Sequence, residues 1–377
     1  MARNRIIYQS EGIYISKEYN SSASGDHAQL SRVQSANYNF NIARQDVNQY
    51  GELARIDSIV LETPTVSFDT SYYVTDGANE VALGFAVSTG QALSQFPSGH
   101  IQDSTGRNFY IVTSSEGNDF NKNTGANPLS GMGGIGIGNA YLTDYSVEFA
   151  VGSIPTATVS FEGTNMNAFS FSGTSANPNS GTCAGINPVD GTALGTAIQL
   201  KNPTSKTGDL STVYSALRPG DVTINFGTWS GSGLISRLGG ESGIHLQSVS
   251  MSLPLGRTPI ERLGSKFAYA RVVDFPVTAT LTLNGVQTEV AGGNLVSLIE
   301  ANPKSDLEIT VKKPGQPNAT AIKYIIKNAQ LDSASISSSI GSNKTADFTF
   351  STQIGGVNDV TNGIQMSGSF TAGNAPF

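Results

Sequence analysis

The chain has 377 residues, room for two domains, with 14% charged residues and a formal net charge of −7 at pH 7. Such an acidic balance excludes a DNA-binding surface built on clustered Lys and Arg, and no run of 18 apolar residues offers a membrane-spanning helix. The one cysteine, Cys183, leaves no internal disulfide, so the fold is expected to rest on packing and hydrogen bonds in a chain made in a reducing cytoplasm. With 42 Gly, 15 Pro, 13 Tyr and 17 Phe, the composition is that of a turn-rich β protein. The start has a basic end but no apolar stretch behind it, so a soluble chain without a Sec-type signal is expected.

In chain order, residues 1–32 read as an N-terminal arm, with short strand candidates at 6–8 and 13–15 and a polar run over 17–25. A first domain follows over 33–165, in which Val66, Phe68, Thr70 and Tyr72 alternate with polar residues. Asn79 is an N-cap candidate for a short helix, and about 98–134 is a Gly, Asn and Ser-rich insertion. Residues 166–245 form a connecting segment, loop-like but with a strand candidate at 222–226, and too long to be a plain linker. A second domain spans 246–353: Val277, Ala279, Leu281 and Leu283 alternate with polar residues, Asn294 is its N-cap candidate, and 354–377 is a Gly and Asn-rich tail.

The two domains are related by repetition. Residues 139–163, NAYLTDYSVEFAVGSIPTATVSFEG, return at 328–352 as NAQLDSASISSSIGSNKTADFTFST, with nine of 25 positions identical at an offset of 189. Chance alone gives about two. Upstream, VQSANYNFNIARQDVNQYG at 33–51 matches LQSVSMSLPLGRTPIERLG at 246–264 at an offset of 213, chiefly in its apolar positions. The offset falls between the anchors because the first repeat carries the insertion. In both repeats the closing strand keeps its phase. Ala157, Val159, Phe161, Ala346, Phe348 and Phe350 take the core side, which turns Thr158, Ser160, Glu162, Asp347, Thr349 and Ser351 outward. On the preceding strand Ser146, Glu148, Ser335, Ser337 and Ser339 share that polar side.

Catalytic patterns are weak. Residues 131–136, GMGGIG, match the dinucleotide pattern GxGxxG, but the stretch after them has no helical period and reads as a flexible connection. His27, His100 and His245 lie far apart, each with at most one carboxylate nearby, short of a metal site. No GxSxG elbow occurs, and Asp144 and Glu148 sit on alternating strand positions where acids usually face solvent. No enzyme, cofactor or metal is therefore expected. Trp229 is the exposed-looking aromatic that a glycan-binding reading would use, against the simpler reading of a sheet-edge cap.

The motif N-A-x-L-x-x-x-S-[VI] followed by [VI]-G-S, and the stretch LQSVSMSLPLGRTPIERLGSKFAYARVVDFPVTATLTLNG over 246–285, resemble the tail tube (major tail) proteins of tailed bacteriophages. The resemblance covers both repeats and implies two tandem β-sandwich or barrel tail-tube domains, each with a short helix. It implies a structural subunit of the virion tail, made in the bacterial host cytoplasm, whose domains close six to a ring and stack into a channel for genome delivery. Two domains per chain then call for trimeric, pseudo-sixfold rings. Alternatives are a capsid decoration or neck protein, or a glycan-binding tail protein. On the tube reading Ser146, Glu148, Thr158, Ser160, Glu162, Ser335, Ser337, Asp347, Thr349 and Ser351 face the lumen, where acids repel the phosphates of double-stranded DNA passing without specific binding. The expected partners are further copies of the chain and the tail proteins at the tube ends, with no membrane. Residues 1–32, the insertion and the tail are expected to bridge rings, with Asp76, Glu80, Arg257 and Arg262 as candidate charges.

Overall fold

The computed structural model describes residues 10–90, 95–114, 118–123, 125–174, 176–203, 216–225, 244–264, 267–268, 270–287 and 304–370. Among them strand dominates, so the fold is mostly β, as the composition implies. The first half holds β1 (Glu11–Ser16), β2 (His27–Gln29), β3 (Val33–Asn41), β4 (Arg44–Val47), β5 (Asp57–Val60), β6 (Thr65–Tyr73), helix α1 (Ala78–Leu83), β7 (Val87–Ser88), helix α2 (Ser98–Ile101), β8 (Arg107–Thr113), β9 (Gly133–Ala150), β10 (Thr156–Gly163) and β11 (Asn165–Ser170). After β12 (Ser180–Thr182) and β13 (Ala197–Gln199) come β14 (Val222–Asn225), β15 (Ile244–Pro254), β16 (Arg257–Ile260), β17 (Ala270–Val273), β18 (Thr278–Gln287), β19 (Lys304–Lys313), β20 (Gln316–Ser337), β21 (Thr345–Gln353) and β22 (Gly363–Gly368).

One layer runs in the order β3-β6-β10-β9-β15-β18-β21-β20, so both repeats share a single sheet and meet where β9 pairs antiparallel with β15. A second layer lies behind each repeat. In the first, β8 sits between β1 and β9, and β11 flanks β9 on its other side. In the second, β19 sits between β14 and β20, and β22 flanks β20. Strands β9 and β20 thus serve both layers, their first halves behind and their second halves in the shared sheet. β1 and β14, from the stretches read as an arm and a connecting segment, take matching places beside β8 and β19. β7 of the first half pairs in parallel with β22 of the second, so the halves interlock.

The ladders repeat residue for residue. The offset of 213 runs unbroken from β3 to β6, through the β4–β5 hairpin, whose counterpart is β16–β17. It is 198 at β8 and β19, and 189 from β9 to β10, so the extra residues of the first repeat divide between the segment before β8 and the β8–β9 connection. Three β-bulges recur at matching places: Val33/Ser35 with Leu246/Ser248, Arg107/Phe109 with Ser305/Leu307, and the β9–β10 irregularity at Ser160/Phe161 with the β20–β21 one at Leu331/Ser333. A bulge inserts a residue and re-aims the strand, so its repetition at three ladders ties the two halves more firmly than side-chain identity does.

The layer change in β9 and β20 happens at one residue type. Asn139 and Asn328, 189 apart, both have φ near +50°, the left-handed region that Asn tolerates better than most residues. The Asn139 amide donates to Asn108 Oδ1 at 3.0 Å, and the Asn328 amide donates to Asp306 Oδ1 at the same distance. This is the physical reason for the Asn that opens the repeated motif.

Between the layers a continuous apolar core runs through both repeats, from Phe68, Phe109 and Phe161 to Leu281, Phe348, Phe350 and Ile326. Phe109 packs against Phe68 and Phe161 with ring centroids 4.6 and 4.7 Å away. A second cluster, with Tyr14, Tyr110, Phe120, Leu129, Phe171, Cys183 and Ile198, covers the back of the first repeat. Its lid comes from the insertion and from 176–203.

Two local expectations change. Gly77, not Asn79, stands at the N-cap of α1; the Asn79 amide is instead turned to Ser31, accepting from its backbone N–H and donating to its carbonyl. Asn294 and Trp229 lie outside the described residues. The Gly-rich stretch read as a flexible connection is largely strand, the beginning of β9. Its glycines admit close neighbours: a Cβ at Gly138 would collide with the backbone of Ala184.

Candidate functional site

The shared sheet turns one face inward to the core and the other away from it, and the outward face is predominantly polar, interrupted by Ala150, Pro254 and Val286. One cross-strand row reads Ser35, Ser71, Thr158, Ser146, Ser252, Thr280, Ser351 and Gln330 without an apolar member. The next reads Thr156, Glu148, Ser250, Thr282, Thr349 and Ser333, and another joins Ala150, Ser248, Asn284, Asp347 and Ser335. The alternate row, Tyr72, Ala157, Val147, Met251, Leu281 and Phe350, is buried throughout. Period-two alternation in eight strands of matched register produces both faces at once.

The ten residues expected to share a face, Ser146, Glu148, Thr158, Ser160, Glu162, Ser335, Ser337, Asp347, Thr349 and Ser351, stand at the polar positions of these strands. Their neighbours were not all legible. β3 adds Ser35, Asn37 and Asn39, β6 adds Ser67 and Asp69, and β15 and β18 add a ladder of Ser and Thr. None of the eight strand segments of this layer, taking β20 from residue 330, contains Lys or Arg, while Asp69, Asp144, Glu148, Glu162 and Asp347 supply acids. Short side chains bond laterally: Ser35 Oγ lies 2.6 Å from Ser71 Oγ, Ser337 Oγ lies 2.7 Å from Thr345 Oγ1, and Asn284 donates to Asp347. Half-burial raises the Asp144 carboxyl above its ordinary range, with a hydrogen bond from Ser252 opposing.

Glu162 differs from the other acids. It pairs with the buried Arg271 of β17, whose guanidinium and that of Arg257 lie over the Tyr141 ring at 5.9 and 5.0 Å. Arg257 also donates to the carbonyls of His100 at 2.5 Å and Arg271 at 3.0 Å. The β16–β17 hairpin of the second repeat is thereby clasped onto the first. Arg257, Arg262 and Glu80, candidates for contacts between rings, are instead engaged within the chain: Arg262 donates to the Val189 carbonyl, and Glu80 is buried.

Glu80 belongs to a buried tyrosine cluster that also crosses between repeats. Tyr72 donates to Glu80 Oε1 at 3.0 Å, and the Tyr145 and Tyr324 hydroxyls lie 2.8 Å apart. Burial pushes the Glu80 carboxyl up to about 7, against the opposing hydrogen bond from Tyr72. The folded state then holds a proton that the unfolded chain has released, so stability is full below the ordinary carboxyl range and falls as pH rises toward 7. The shift corresponds to roughly 3 kcal/mol. Glu80→Gln keeps an acceptor for Tyr72 and removes this proton. The urea midpoint of the parent is therefore expected to lose ground to that of the variant between pH 4.5 and 7.5, whatever slope the buried His27 and His100, both held below the ordinary imidazole range by burial, give to the two proteins alike. Parallel pH profiles would refute this role.

Among the described residues no group of three or more His, Cys, Asp or Glu converges as a metal site, and no helix is long and apolar enough to cross a membrane. Neither a family model nor a curated protein matches the chain. Solved structures do. The chain is similar to a chain of an extracellular contractile injection system, the PVC sheath–tube complex in its extended state, with 11% identity and a TM-score of 0.31 over 44% of this chain and 99% of that one. It is also similar to a chain of the anti-feeding prophage (AFP) baseplate, with 10% identity and a TM-score of 0.26 over 40% of this chain and 93% of that one.

Proposed function

We propose that this chain is a structural, non-catalytic subunit of a phage-type tail tube, with two tandem tube domains per chain. Three chains close a pseudo-sixfold ring, and stacked rings form a channel through which double-stranded DNA passes. The observation that carries the reading is the β9–β15 junction: two edge-exposing repeats already join into one sheet with a predominantly polar outward face. A sheet that grows by adding equivalent repeats loses its edges only by closing, which favours a ring over an isolated chain. A face of small hydroxyls and acids whose strands carry no Lys or Arg suits a lumen, because its acids repel phosphate and the one arginine that reaches it, Arg271, is buried against Glu162.

Negative-stain microscopy and native mass spectrometry of the purified chain test this. Hollow cylinders of stacked rings with three chains per ring are the expected result. Six chains per ring would overturn the stoichiometry and leave the tube; single-layer rings or persistent monomers at high concentration would overturn the tube.

A further inference from the structure

The internal junction specifies how two chains meet. Among the described residues β3 pairs only with β6, and the outer half of β20, 333–337, pairs only with β21, so each leaves one edge of the shared sheet open. These edges are the counterparts of the two strands joined inside the chain, since β3 corresponds to β15 at an offset of 213 and β20 to β9 at 189. We propose that β3 of one chain pairs antiparallel with 333–337 of a second copy, in the register of the β9–β15 junction. The proposal rests on the ring reading and adds its register.

Carrying the offsets across gives the partners. Val147 opposite Met251 becomes Ile336 opposite Tyr38, and Tyr145 opposite Leu253 becomes Ala334 opposite Phe40. On the polar face, Glu148 opposite Ser250 becomes Ser337 opposite Asn37, and Ser146 opposite Ser252 becomes Ser335 opposite Asn39. Exposure supports the equivalence. Phe40 is 58% exposed and Ile336 47%, whereas Leu253 and Val147, which stand in the same places but within the completed junction, are 0% and 1% exposed. The apolar phase of both edges is therefore set for a cover that the single chain lacks.

Nothing on these edges blocks pairing. Natural sheets guard free edges with Lys, Pro or inward charges, yet 33–41 has none of these and 330–337 has only Asp332, which falls at the bulge. The same operation lays the β4–β5 hairpin on the neighbouring chain as β16–β17 lies on the first repeat. That covers Val60, whose counterpart Val273 is half-buried, while Ile59 keeps the exposure that its counterpart Val272 has within the completed junction.

Paired cysteines read the register directly, because a disulfide forms only between directly opposed positions. Asn37→Cys with Ser337→Cys in the full chain, oxidised after assembly, is expected to give a ladder ending at three chains on a non-reducing gel. Its yield should exceed that of the shifted pair Asn37→Cys with Ser335→Cys at least tenfold. Glu148→Cys with Ser250→Cys, the same pair at the internal junction, calibrates the geometry by closing within one chain, and the parent with its buried Cys183 supplies the background. A shifted pair that cross-links better would overturn the register. Three-chain rings that cross-link in neither pair would overturn edge pairing while leaving the ring. Monomers throughout would overturn the ring reading, and the register with it.

Discussion

Phe348→Asp is expected to leave no folded protein. Phe348 lies mid-strand in β21, flanked by Leu283 on β18 and Ala334 on β20, and is buried in the core that runs through both repeats. Losing the ring costs about 3–5 kcal/mol, from the transfer of the lost atoms and the cavity they leave. An aspartate at the site adds the desolvation of a carboxylate within the apolar core, or the cost of holding it protonated, several kcal/mol more. The total matches the roughly 5–15 kcal/mol by which whole domains are stable. Thr349→Asp, one residue further on and on the opposite face, is the control, expected to keep the parent's circular dichroism and solubility. A soluble, cooperatively unfolding Phe348→Asp would mean that the two faces of β21 have been assigned in reverse.

Strand phase was legible because period two leaves a written trace: Phe348 and Thr349 differ in kind, and so do their partners in every strand of the layer. The repeat was legible for a related reason, since its offsets are carried by apolar positions that the core restrains. What sequence did not disclose depends on pairing in space. Nothing in Glu11–Ser16 or Val222–Asn225 announces that they hold equivalent places beside β8 and β19. The Gly-rich beginning of β9 read as a connection because glycines selected for close approach to Ala184 look like glycines selected for flexibility. Glu80 and Arg257 read as surface charges because their partners, a tyrosine hydroxyl and backbone carbonyls, carry no charge pattern. Asn139 and Asn328 were found as identities, but their role needed a backbone angle.

That angle yields the second large effect, Asn139→Ala, expected to destabilise the chain by about 3–6 kcal/mol. Alanine in the left-handed region contributes about 1–2 kcal/mol of strain. The remainder comes from the side-chain amide, which donates to the carbonyls of Thr105 and Ile186, each at 3.1 Å, and accepts from the Ile186 N–H at 2.7 Å. Truncation strands all three backbone groups, two of them in fully buried hydrogen bonds. Asn328 has the same backbone but donates from its side chain to Asn362 Oδ1 at 2.7 Å, in a less buried setting. Asn328→Ala should therefore cost about 1–3 kcal/mol, mostly strain and one hydrogen bond. Glycine separates the two causes, because it relieves the strain and restores no hydrogen bond. Asn328→Gly should recover most of the lost urea midpoint, whereas Asn139→Gly should remain close to Asn139→Ala. Equal recovery at both sites would show that the left-handed turn, rather than the amide that joins 105 and 186 to β9, is what this residue supplies to the first repeat.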